Sequence, residues 1–112
     1  MLALDIGGTK LAVGVVDSDG AVRGLLVRPT DAHEGPDAVI ARLVGMGRES
    51  LAAAGTGVDA VGISCGGPLD AEAGIVRSPL NLPDWHDVPL GAVIADAFGV
   101  RTCASEREES AR

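Results

Sequence analysis

Six consecutive residues near the start of the chain, Asp5-Ile6-Gly7-Gly8-Thr9-Lys10, have the makings of an anion site. Two glycines let backbone amides approach a phosphate with no Cβ in the way, and the Thr9 hydroxyl adds a donor. Lys10 adds a point charge. Asp5 is the kind of hard oxygen ligand that a hydrated Mg²⁺ takes, and a metal ion would let an acidic protein tolerate a nucleotide. The glycine spacing matches neither the dinucleotide fingerprint nor the Walker loop. The same six residues also read as an ordinary Gly-Gly hairpin with a solvated Asp and Lys.

Two further segments could meet a ligand. Ser64-Cys65-Gly66-Gly67-Pro68-Leu69-Asp70 follows a short apolar run, and small residues at the C-terminal end of a strand leave room over a sheet edge. Taken alone, this segment reads better as a turn leading into a hairpin. In Ser78-Pro79-Leu80-Asn81-Leu82-Pro83-Asp84-Trp85, prolines flank Asn81 and stiffen the loop, so its amide could read the hydroxyls of a polyol. Trp85 is read as the anchor of that loop. His33 and His86 have no partner at metal or triad spacing, and Asp84 and Asp87 are read as turn formers.

These residues need a scaffold, and apolar runs supply one. Met1 to Ile6, Leu11 to Val16 and Ala21 to Val27 are three strands joined by short turns, the second closed by Asp19-Gly20, so the chain opens with an antiparallel meander. A helix follows from Pro36, which suits a first turn, to Gly55, which can end it. Val39, Ile40, Leu43, Val44 and Leu51 recur on one face of it. Gly45 and Gly47 inside that helix each cost up to ~1 kcal/mol relative to Ala. Asp59 to Ser64 reads as a buried strand, Gly66 to Pro89 as a turn-rich stretch, Pro89 to Phe98 as a short helix closed by Gly99, and Val100 to Ala104 as a last strand. The order is β-β-β-α-β-α-β. After Ser105 the only apolar side chain is Ala111, so the tail is expected to fray.

Composition limits what such a scaffold can do. The chain has 112 residues, 46% apolar and 22% charged, which suits one modest domain. Trp85 and Phe98 are its only aromatics, so the core must be built from Val, Leu, Ile and Ala. Nine basic and sixteen acidic side chains give a net charge of −7, which argues against nucleic-acid binding. No apolar run approaches the roughly 18 residues that a membrane span needs. The start lacks the marks of a signal peptide, so a cytoplasmic location is expected. Cys65 and Cys103 match no zinc spacing and are expected to be small core residues near strand ends.

Together, Leu-Asp-Ile-Gly-Gly-Thr-Lys (4–10), Gly-Ile-Ser-Cys-Gly-Gly-Pro-Leu-Asp (62–70) and Pro-Leu-Asn-Leu-Pro-Asp-Trp (79–85) resemble the ROK family of bacterial sugar kinases and related repressors. The resemblance covers residues 1–104 and implies the N-terminal lobe of an actin-like ATPase (ribonuclease H-like) fold, an α/β domain with a mixed sheet. Residues 105–112 are expected to be a non-homologous, disordered tail. The resemblance assigns Asp5, Gly7, Gly8, Thr9 and Lys10 to the phosphate and Mg²⁺ side of an ATP site, with Asp5 reaching the metal through water. It assigns Gly67 and Asn81 to the sugar.

One departure stands out. Where the family continues with an Asn-Asp-Ala-Asn type motif that carries the general base, this chain reads Ser105-Glu106-Arg107-Glu108-Glu109, three residues before its last. The family's zinc segment and second lobe are likewise absent. The expectation is a truncated hexose kinase, inactive alone, with exposed apolar strand ends that favour self-association. The alternatives are a noncatalytic binding remnant or a fragment of a ROK-type repressor.

Overall fold

Alternation sets the first strand. β1 (Leu2–Ile6) buries Leu2, Leu4 and Ile6 on one face and turns Ala3 and Asp5 to the other. β2 (Lys10–Val16) does the same with Leu11, Val13 and Val15, and β3 (Val22–Pro29) completes the antiparallel meander. The computed structural model describes residues 1–65, 69–70, 75–76 and 89–106. Gly67, Asn81 and Trp85 lie outside them, as does the tail from Arg107 onward.

A single-turn 3₁₀ helix (Ala32–Glu34) leads into α1 (Pro36–Ala54), which starts on its proline and ends on Gly55 in the left-handed conformation, φ 70°. α1 crosses to β4 (Val61–Cys65), which lies parallel to β1 with Asp5 opposite Ser64. β5 (Leu69–Asp70) and β6 (Ile75–Val76) form a small antiparallel pair, the hairpin reading of the segment after Ser64. α2 (Leu90–Phe98) then leads to β7 (Thr102–Glu106), parallel to β4. The main sheet has the order β3-β2-β1-β4-β7, mixed as expected.

Both helices pack on the same face. Val39, Leu43 and Met46 of α1, with Leu90 and Ile94 of α2, close over Leu2, Leu4, Ile6, Val13, Val61 and Ile63. Val44 and Leu51, expected in this core, are only partly buried at its margin. Gly47 sits where α1 meets α2: a Cβ there would stand 2.8 Å from Phe98 Cζ and 3.1 Å from Leu2 Cδ2. Among the described residues no helix covers the other face, where Ala3, Ala12, Gly14, Gly62 and Ser64 floor a shallow depression of about 550 Å³.

Two expectations need correction. Cys103 is exposed rather than in the core, because the register of β7 turns it toward the helix-free face beside Gly62. The last strand does not stop at Ala104: Ser105 pairs with Ser64 and Glu106 with Cys65, so the ladder runs to the end of β4. Pairing with a neighbouring strand extends a strand that side-chain pattern alone ends too early.

Candidate functional site

Asp5 occupies the last outward-facing position of β1, half-buried between Ala12 and Ser64 and at one end of the open depression. The chain then bends through Gly7-Gly8-Thr9 into Lys10. The Gly7 N–H donates to the Lys10 carbonyl at 2.9 Å. Thr9 and Lys10 are exposed, and Gly7 and Gly8 half-buried. Positive φ among the described residues falls at Asp31, Gly20, Gly24, Gly35, Gly55 and Gly99. Gly7 and Gly8 therefore hold conformations open to any L-residue, and the left-handed backbone is not why they are glycines. A missing Cβ matters here for close approach instead.

The bend is braced from behind by residues that sequence reasoning passed over. Thr30, directly after β3, is fully buried. Its hydroxyl donates to the Gly7 carbonyl at 2.7 Å, and its N–H donates to the Thr9 carbonyl at 3.0 Å. Its own carbonyl accepts from Arg42 Nη1 of α1 at 2.5 Å, and Arg42 Nη2 is paired with Glu34 of the 3₁₀ helix. The N–H groups of Gly8 and Thr9 have no hydrogen-bond partner among the described residues. No local pattern could have flagged Thr30, whose partners lie twelve to twenty-three residues away; the only cue is a polar residue following a strand.

The donor set fits a phosphate group: two backbone amides without a partner among the described residues, an exposed hydroxyl and an exposed ammonium on one short bend. It fits a hydrated magnesium ion less as a cage than as a shared partner. No group of three or more His, Cys, Asp or Glu among the described residues could enclose a metal. A single carboxylate beside phosphate oxygens is how Mg²⁺ is usually held in such sites.

The family model for the ROK family matches residues 1–110. The chain belongs to the ROK family. The glucokinase of Thermotoga maritima is 38% identical over 101 residues, 88% of this chain and 31% of that protein. Two solved structures superpose closely, each over 95% of this chain. The ROK hexokinase of Thermus thermophilus has a TM-score of 0.85 at 31% identity, and the ROK glucokinase of Streptomyces griseus, in complex with glucose and AMPPNP, has 0.84 at 26%. A ROK transcriptional regulator also matches, at 0.72 and 28%. This ROK chain spans about a third of the length of those kinases, 31% to 34%. Its sheet order and helix placement are those of the actin-like ATPase fold. The ROK match extends past Ala104 into Ser105 and Glu106, in keeping with the longer β7.

Proposed function

We propose that this chain forms the phosphate-gripping wall of an ATP-dependent hexose kinase site. The observation that carries the reading is the bend itself: Gly8 and Thr9 present amides without a partner among the described residues, beside Lys10, and Asp5 faces outward at the end of β1. A bound nucleotide's terminal phosphates would sit on those amides. Asp5 would hold Mg²⁺ through water, and that ion would neutralise charge on the transferring phosphoryl group. Gly67 would line the sugar pocket through its backbone and Asn81 would hydrogen-bond the sugar's hydroxyls. Likeness to a glucokinase solved with glucose and AMPPNP supports hexose and ATP as the ligand classes.

We further propose that the 112 residues do not phosphorylate sugar by themselves. A kinase cleft needs a base near the attacking hydroxyl and a wall on the far side of the nucleotide. Neither is assigned to a residue of this chain. The protein is read as cytoplasmic, without affinity for nucleic acid, and inclined to self-associate through Val22, Leu25 and Val27, which are exposed on the edge strand β3. A second reading, the same lobe serving a ROK regulator, rests on the likeness to the regulator structure.

Calorimetric titration of the chain with Mg·ATP, with ATP in EDTA and with glucose tests the proposal. Mg·ATP binding is expected, lost without the metal and weakened at least about tenfold in Asp5→Asn. Absence of Mg·ATP binding would overturn it. ATP-dependent hexose phosphorylation by the purified chain, abolished by Asp5→Ala, would overturn the claim of inactivity.

A further inference from the structure

We infer that Thr30 is the positioning residue that aims the amides of the bend, with Arg42 and Glu34 fixing Thr30 in turn. The inference rests on the phosphate-site reading above and adds what sets that site's shape.

A carbonyl and the N–H of the following residue share one peptide plane and point in opposite directions when that peptide is trans. No cis peptide occurs among the described residues. Drawing the Gly7 carbonyl inward onto the Thr30 hydroxyl therefore turns the Gly8 N–H outward. Thr30 grips the bend a second time, through its own N–H to the Thr9 carbonyl. The 2.7 and 3.0 Å contacts hold the Gly7–Gly8 and Thr9–Lys10 peptides, so the single Gly8–Thr9 peptide between them, which carries the Thr9 N–H, is pinned at both ends.

The brace is itself held. Thr30 is fully buried, and its N–H, hydroxyl and carbonyl are all engaged. Arg42 reaches it from α1, three-quarters buried, while its other nitrogen is paired with Glu34. One residue thus ties the end of β3, the 3₁₀ helix and α1 to the bend between β1 and β2. Glycines need such a brace. Without Cβ atoms to restrict it, a Gly-Gly bend samples many conformations and would lose that freedom on binding an anion. Fixing it beforehand removes that cost.

Three variants test the assignment. Thr30→Val keeps the shape and removes the hydroxyl; Thr30→Ser keeps the hydroxyl; Arg42→Gln breaks the pair with Glu34 and loosens the hold on the Thr30 carbonyl. Gly47→Ala serves as a control for general destabilisation, since it acts at the α1–α2 contact away from the bend. Each is titrated with Mg·ATP and with Mg·tripolyphosphate, and the Gly8 amide resonance is recorded without ligand.

The dissociation constant of Thr30→Val is expected to rise by roughly tenfold, with a displaced and broadened Gly8 resonance, while Thr30→Ser and Gly47→Ala stay within about threefold of the parent. Should Thr30→Val fail to fold, Arg42→Gln carries the test, with a rise of at least about threefold. Parent-like affinity and an unmoved Gly8 resonance in Thr30→Val, or in Arg42→Gln where that variant carries the test, would overturn the inference and leave the phosphate site standing. Equal weakening by Thr30→Val and Gly47→Ala would reduce Thr30 to a structural residue. A parent chain that binds neither ligand would overturn the phosphate-site reading, and this inference with it.

Discussion

The same substitution, made twice in one helix two residues apart, should stabilise at one position and not at the other. Gly45 and Gly47 both lie inside α1, where replacing Gly by Ala contributes about 0.5–1 kcal/mol by restricting the unfolded chain. At Gly45 that gain is unopposed: the position is exposed and a Cβ would meet nothing within 4 Å. At Gly47 the added Cβ would stand 2.8 Å from Phe98 Cζ and 3.1 Å from Leu2 Cδ2. Leu2 is fully buried and cannot swing into solvent, while Phe98, partly buried against the core, would have to move its ring tip aside. Forcing a methyl into such a contact costs about 1–3 kcal/mol. Gly45→Ala should therefore stabilise by up to about 1 kcal/mol, and Gly47→Ala should range from neutral to about 2 kcal/mol destabilising. Because the helix-propensity gain is common to both, the gap between them measures the clash alone. Urea unfolding followed by far-UV circular dichroism gives both values, and a thermal melt should separate them by roughly 4–8 °C per kcal/mol. Equal stabilisation by the two variants would refute the α1–α2 packing described above.

Two other predictions probe electrostatics and the open face. The Arg28 guanidinium, bonded to both oxygens of Glu49 at 2.8 and 2.9 Å, holds that carboxyl below its usual range, and the terminal ammonium of Met1 does the same to Asp59. A carboxylate lowered on folding stabilises the protein above its unfolded value and loses that contribution as pH falls through the folded one. Melting temperature should thus begin to drop near the ordinary values of 4.5 for Glu49 and 3.8 for Asp59 and keep dropping below them. Glu49→Gln should flatten the upper part of that decline, and so should salt, since both pairs are solvent-exposed; a decline unchanged in both cases would sink the assignment. Cys103, free and exposed, should react with N-ethylmaleimide in the native chain, as peptide mapping would show. Protection that disappears on dilution would mean that a second copy covers the face, and protection at all concentrations would contradict the exposure.

Much of the architecture could be read from the chain because its signals are local. The meander shows in three apolar runs and an Asp-Gly turn, and α1 shows in a proline at one end, a glycine at the other and Val39, Ile40 and Leu43 between them. The bend proposed to hold an anion was legible for the same reason: Asp5 through Lys10 are consecutive, so their proximity needs no fold to create it. What escaped the sequence depends on register. Cys103 faces solvent only because β7 pairs with β4 in one alignment, and a shift of one residue would have buried it. Gly47 looked like a second helix-weakening glycine because its neighbour Phe98 lies fifty-one residues further on. Thr30 is the deepest case. It follows an exposed edge strand and sits in no motif, yet pairing of Lys10 with Pro29 brings it against the bend, where its hydroxyl and amide take two carbonyls that would otherwise be free to turn outward. A motif can therefore announce which residues meet a ligand while leaving unnamed the residue that decides which way their amides point. That second kind of residue is set by strand register, and in this protein it comes from the far side of the sheet's antiparallel half.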